Sequence, residues 1–297
     1  MKTFSMRPAS DERQRPVACV VCGRSESRPH WQCDGFYFVH CTSCGHVYQN
    51  PQPIPDDLAL RYDSEYFDYE LENAEPFYEL MRLGLEDVGF MDMQQQLRRR
   101  GQFLDIGCAT GVLLQRMQQY GWDVQGVEIC EPAARYAIEE RGVPVHLGPV
   151  EGAPFERGAF AAVHTSHVIE HVPDPRDFLR RIHDLLCPGG VVVIVTPDRS
   201  GVQARLFGSR WRSAIADHLN LFSSSQLRRL LQETGFEVLR KRSWGGLTAG
   251  AAPRLIKRPA DRLAKLLNVG DVCAVLARKS NRKNRETGNR KVQNEAH

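Results

Sequence analysis

At 297 residues and 42% hydrophobic side chains, the chain can bury one substantial core plus a small satellite module. No apolar run reaches the roughly 18 residues of a membrane span, and MKTFSMRPASDERQRP lacks an apolar signal core, so transmembrane and secreted readings fall away and a cytoplasmic address is the expectation. Net charge is only +3, yet residues 240–297 hold 15 Lys and Arg against 4 Asp and Glu, a basic end suited to RNA or to peripheral contact with an anionic membrane, or simply solvated.

In chain order, residues 1–16 read as a disordered leader, which together with a small ribbon makes up residues 1–50. The ribbon rests on two C-x-x-C pairs, Cys19 with Cys22 and Cys41 with Cys44, separated by 18 residues. Each pair is followed by a glycine, Gly23 or Gly45, which frees the backbone to turn its N–H groups toward sulfur. Four thiolates at tetrahedral corners suit a structural Zn(II). Two disulfides, or a redox-active pair, are the other readings of the same residues.

Residues 51–96 read as a helical linker or lid. Gln49 to Asp57 (QNPQPIPDD) is a turn, and beyond it Tyr62, Tyr66, Phe67, Tyr69, Phe77, Tyr78, Met81 and Leu85 recur at helical spacing. Such aromatic density serves helix packing, or walls off a site.

Residues 97–279 form the main domain. FLDIGCATGVLL, Phe103 to Leu114, is an apolar strand feeding a glycine-bearing turn that opens a helix, and DVQGVEI ends in Glu128, 21 residues after Gly107. The helix N-terminus suits a ligand carboxylate, Gly107 and Gly111 permit close backbone approach, and Glu128 is placed to accept from ribose hydroxyls. A dinucleotide site wants G-x-G-x-x-G, but here Gly107, Cys108, Ala109, Thr110, Gly111 is followed by Val112. Asp105 would repel a pyrophosphate and suit the ammonium of a methionine moiety, so the turn favours S-adenosylmethionine.

Further strands are expected at 103–107, 123–129, 143–147, 160–166 and 190–196, with helices near 111–120, 132–141 and 175–186. This alternation implies a mostly parallel sheet. Pro188, Gly189 and Gly190 are expected to stop a helix before the last of these strands. An insertion to about Leu221 then precedes a helix SSQLRRLLQETG, a strand FEVLRKRS, a helix around Ala260 to Leu267 and a strand DVCAVLAR. Residues 280–297 read as a disordered basic tail.

The 103–128 pattern resembles the class I S-adenosylmethionine-dependent methyltransferases, with Ala109 in place of their middle glycine. SHVIEHVPDPRDFLRRIHDLLCPGGVVVIVTPD and DHLNLFSSSQLRRLLQETGFEVL extend the resemblance over nearly the whole chain, toward a bacterial branch carrying a cysteine-paired zinc ribbon. It implies an α/β, Rossmann-like seven-stranded methyltransferase sheet whose last strand inserts antiparallel, beside a small N-terminal zinc ribbon. Cofactor contacts are then expected from Asp105, Gly107, Cys108, Gly111, Glu128, Val150 and Ser166. Where many relatives have an aspartate for adenine, this chain has Gly148, Pro149 and Val150, which puts adenine on the Val150 backbone or one turn on at Glu151.

The resemblance implies methyl transfer, with O-methylation of a sugar, lipid-linked glycan or small metabolite as the leading reading. A hydroxyl acceptor needs a base, and His171 and His167 follow the fourth strand, with His218 in the insertion and Trp211 able to shape the pocket. A related set of carboxylates and a histidine binds a divalent ion in ubiquinone-pathway O-methyltransferases; here His167 replaces the first acid. The alternatives are rRNA or tRNA methylation, and a non-catalytic cofactor-binding protein using its ribbon for a partner.

Overall fold

A computed structural model describes residues 12–58, 61–62, 64–245 and 269–280. The N-terminal part runs β1 (Gln14–Arg15), β2 (Ser27–Gln32), β3 (Tyr37–Cys41), β4 (Val47–Gln49) and β5 (Gln52–Pro53), then helices α1 (Pro55–Leu58), α2 (Ser64–Glu72), α3 (Ala74–Asp87) and α4 (Phe90–Arg98). The main domain follows as β6 (Gln102–Ile106), α5 (Val112–Gln119), β7 (Val124–Glu128), α6 (Glu131–Glu139), β8 (Val145–Leu147), β9 (Phe160–Ser166), α7 (Pro175–Leu185) and β10 (Leu186–Pro197). It closes with α8 (Val202–Phe207), β11 (Asn220–Leu221), α9 (Ser224–Glu233), β12 (Phe236–Trp244) and β13 (Val272–Lys279).

Seven strands form the central sheet in the order β12-β13-β10-β9-β6-β7-β8. Strands β8, β7, β6, β9 and β10 are parallel, and β13 inserts antiparallel between β10 and β12, as expected from the resemblance. The chain order reverses between β6 and β9, so the crevice outside their carboxyl ends is where a ligand binds. Alternation explains why β10 is apolar throughout: Val192 and Ile194 enter one core, Val191, Val193 and Val195 the other.

Helix α7 shows how local sequence builds this frame. Asp174 caps it by accepting from the Arg176 and Asp177 N–H groups, and Pro175 occupies the first turn where its missing N–H is harmless. Phe178, Leu179, Ile182 and Leu185 form one buried stripe, each contributing at most about 1.5–3 kcal/mol on leaving water. In α9, Ser223 and Gln226 complete a capping box.

Three expectations need correction. Pro188 to Gly190 do not precede the strand; they form an irregularity within it, where register shifts between Leu186 and Val191. The leader is ordered from residue 12, because β1 pairs antiparallel with β5 and the Glu12 carboxylate grips Arg61 through two bonds of 2.7 Å. The ribbon is not a detached module either. Cys19, Val21, Cys41 and Tyr48 belong to the same apolar core as Leu104, Phe178 and Phe222, and β11 from the insertion joins β4, β3 and β2 as the ribbon's fourth strand. Residues 1–11, the helix expected around 260–267 and the tail from 281 lie outside the described residues.

Candidate functional site

Two glycines shape the turn after β6, and close packing on their Cβ side requires both. Gly107 and Gly111 have φ of +74° and +76°, and a Cβ would sit 2.4 Å from Val168 Cγ2 at the first and 2.8 Å from Ala137 Cβ at the second. A side chain at either position would therefore collide with the protein's own packing. Cys108 is buried beside them. Gly111 is the N-cap of α5 and offers no side chain, which leaves first-turn N–H groups for a ligand carboxylate.

Glu128 stands at the end of β7. One carboxylate oxygen accepts the Ala109 N–H at 2.8 Å, and the other accepts from Ile129 and Cys130, both at 2.8 Å. Burial raises its pKa, and those three N–H groups oppose the rise. The residue expected to hold ribose thus also braces the turn and the start of α6.

Asp105 departs from expectation more sharply. Its side chain is 2% exposed, and its carboxylate accepts from His164 Nδ1 at 2.7 Å. Its charge is answered inside the sheet rather than by a cofactor ammonium. The alignment of Asp105 with His164 across β6 and β9 is a register relationship no motif reveals. Val150 is likewise inward: it lies in the main core, and its carbonyl accepts from Arg181 Nε at 3.2 Å, so the turn expected to face adenine is partly committed to the protein. Ser166, half-buried, ends β9 at the crevice.

The three histidines do converge, in different states. His167, with φ of +56° and a half-exposed side chain, donates from Nδ1 to Glu170 at 3.1 Å. Thr196 donates to the other Glu170 oxygen at 2.9 Å. Against the effect of burial, the His167 hydrogen bond and the charges of His167, His171 and His218 hold the Glu170 pKa down to about 2. His171 Nδ1 donates to the Asp217 carbonyl at 2.9 Å, and His218 Nδ1 to the Ser213 carbonyl at 2.8 Å. A carbonyl can only accept, so Nδ1 is the donor in both rings, and in the neutral ring Nε2 is the atom left to accept. Burial lowers the His218 pKa to about 3, with the His171 charge adding to it, which corrects its placement as a base for neutral pH.

Glu170, His171 and His218 bring ligand atoms within 4.8 Å of one another, a donor set that fits a divalent cation. Trp211, expected at the acceptor pocket, is 2% exposed and donates its Nε1–H to Asp271.

Helix α2 and the residues before it supply what motif reading missed. No residue of α2 is fully buried; the helix lies across α6, with Phe67 and Tyr136 ring centroids 5.8 Å apart. Tyr62 and Tyr66 meet edge to face at 5.2 Å. Glu70, one turn beyond Tyr66, is pushed up to about pKa 7 by burial and the Glu128 charge, against a Tyr66 hydrogen bond and the His167 charge. Only the i, i+4 spacing of Tyr66 and Glu70 hinted at this shared face.

The cysteines meet as the knuckle spacing requires. Cys19 and Cys44 Sγ are 3.5 Å apart, as are Cys22 and Cys41, and all four lie within 4.8 Å. A tetrahedron with Zn–S of about 2.3 Å has edges of about 3.8 Å. All four thiols are free rather than disulfide-bonded, and the N–H groups of Val21, Cys22, Ser43 and Cys44 point at the knuckle sulfurs. Burial pushes the Cys19 and Cys44 thiols up, the latter to about 11, whereas N–H groups of Cys44 and Ser43 hold the Cys41 thiol down to about 7, so holding Cys19 and Cys44 as thiolates beside the others calls for a cation. The donor set fits zinc.

A doubly wound sheet with a capped glycine turn and an acid after the second strand defines a nucleotide-crevice α/β protein. Residues 79–241, more than half of the chain, match the family model described as a methyltransferase domain, and the protein belongs to that family. A ubiquinone biosynthesis O-methyltransferase from Caulobacter sp. is 38% identical over 108 residues, covering 33% of this chain and 41% of the relative. Another from Bordetella avium is 32% identical over 147 residues, covering 46% and 58%. The chain thus spans about half the length of these curated relatives. A SAM-dependent methyltransferase from Archaeoglobus fulgidus shares the fold with a TM-score of 0.52 and 20% identity, over 72% of this chain and 99% of that one. No helix among the described residues is long and apolar enough to cross a membrane.

Proposed function

We propose that the protein transfers a methyl group from S-adenosylmethionine to a hydroxyl oxygen of a small-molecule or glycan acceptor. The observation that carries this reading is His171, which follows β9 at the carboxyl end of the sheet and donates from Nδ1 to the Asp217 carbonyl, leaving Nε2 of the neutral ring to accept a proton. Family membership supports the chemistry, and the relatives named as O-methyltransferases support oxygen as the acceptor.

The cofactor, when bound, supplies an electrophilic methyl on a sulfonium. Glu128 holds its ribose, and the first-turn N–H groups of α5 meet its carboxylate. His171 Nε2 accepts the acceptor's hydroxyl proton, with His167 the second candidate. Tyr62, Tyr66 and α2 exclude water, and alignment does the rest. A second reading rests on the Glu170, His171 and His218 cluster, where a divalent cation would lower the hydroxyl pKa in place of a histidine base. The ribbon holds Zn(II) in a structural role on this proposal.

Calorimetry with S-adenosylmethionine, then transfer of a labelled methyl into fractionated small-molecule, glycan and RNA pools, tests the reading. Micromolar binding and label in the small-molecule or glycan pool are the expected results; label in RNA, or no cofactor binding, overturns it.

A further inference from the structure

The ribbon's buried edge leads into the insertion that carries His218. Gln49, the last residue of β4, is 2% exposed, and its side-chain amide faces three main-chain carbonyls at once: Ala216 at 2.6 Å, His218 at 3.2 Å and Ile215 at 3.3 Å. A segment that turns three carbonyls toward one point is neither helix nor strand. It is an arch bent around a donor: Ala216 also accepts from Arg61 and Ile215 from the His218 N–H, and Gln49 ties these two carbonyls to that of His218.

The Gln49 N–H donates to Leu219, and Val47 and Tyr48 pair with Leu221 and Asn220. Arg61 grips the other side, donating to the Ala216 carbonyl at 3.0 Å and the Asp217 carboxylate at 3.1 Å. The Asp217 carbonyl is the one that fixes His171. One short arch therefore orients both rings, and its donors come from the N-terminal part of the chain.

We infer that the cysteine-knuckle ribbon is an internal positioning device for the acceptor-side histidines, with Gln49 as its contact. The inference rests on the proposed function only for the use made of those histidines. Gln49 touches no reacting atom; it is a positioning residue. Cys19, Cys41 and all of β4 are buried within the chain, so this side of the ribbon is committed to the main domain.

The test compares wild type, Gln49→Glu, Gln49→Met and chelator-treated wild type, using amide exchange, histidine ¹⁵N signals and calorimetry with S-adenosylmethionine. Gln49→Glu sets a carboxylate against three carbonyls. It should speed exchange at residues 218–220 by about tenfold or more and shift His171 and His218 away from the pure Nδ1–H form. Gln49→Met should do so more weakly, and chelation should match the glutamate variant. Cofactor affinity should stay within about threefold throughout. Unchanged exchange and histidine signals in both variants overturn the inference, and so does a parallel loss of cofactor affinity, which would mark general destabilisation. Wild-type protein that binds no cofactor refutes the proposed function instead, and the exchange comparison still decides the brace.

Discussion

Glu128 accepts the N–H of Ala109 at 2.8 Å while Ala109 sits at a left-handed φ of +46°, so a side chain from the next strand holds a non-glycine residue in a conformation that favours glycine. The middle glycine of the family pattern is dispensable here because an acid restrains the turn.

Glu128→Ala should therefore act twice. Losing charge-assisted bonds to ribose lowers cofactor affinity about ten- to a hundredfold, and orphaning three N–H groups lowers stability by roughly 2–4 kcal/mol. Calorimetry and urea unfolding measure the two separately. Weakened binding with unchanged stability would leave the bracing role without support.

His171→Ala should lower turnover about 10² to 10⁴-fold with nearly intact cofactor affinity, since the side chain acts on the acceptor. His218→Ala should mainly loosen the arch, reducing stability along with turnover. If His171→Ala keeps full turnover while His167→Ala loses it, the base is His167.

Purified protein should carry one zinc per chain, with Zn–S distances of about 2.3 Å by X-ray absorption. Elemental analysis that finds no zinc, together with Cys19, Cys22, Cys41 and Cys44 in disulfides, would sink this assignment.

Glu70 gives a pH signature. Its folded pKa of about 7 lies above the ordinary 4.5, so the native state binds more protons between those values and stability from this group falls as pH rises through that window. Glu70→Gln should match wild type at pH 4 and exceed it by about 1 kcal/mol at pH 8, a value discounted because the residue is half-buried. Equal urea midpoints at pH 8 would show that burial and the Glu128 charge do not raise the Glu70 pKa.

Much of this was legible in residue spacing. The knuckle cysteines, the glycine turn and Glu128 carry their chemistry in local pattern, and the central strands fall within a few residues of their expected positions because strands buried on both faces are written as unbroken apolar runs. What stayed hidden depends on distant partners. Asp105 looked free until His164 came into register, Trp211 looked like a pocket wall until it met Asp271, and His218 looked like a base until burial removed its proton affinity. Gln49 ends β4, just before a proline-rich stretch, with nothing local to mark it, since its partners lie about 170 residues on.

That separation has a consequence for how the chain is made. The knuckle cysteines are close in sequence and can capture metal as soon as residue 44 leaves the ribosome, but the strand that completes their sheet is residues 220–221. Until it arrives, β4 presents unpaired backbone to the crowded cell, the kind of edge that recruits foreign strands. How long that edge stays open is therefore set by how fast synthesis reaches residue 221.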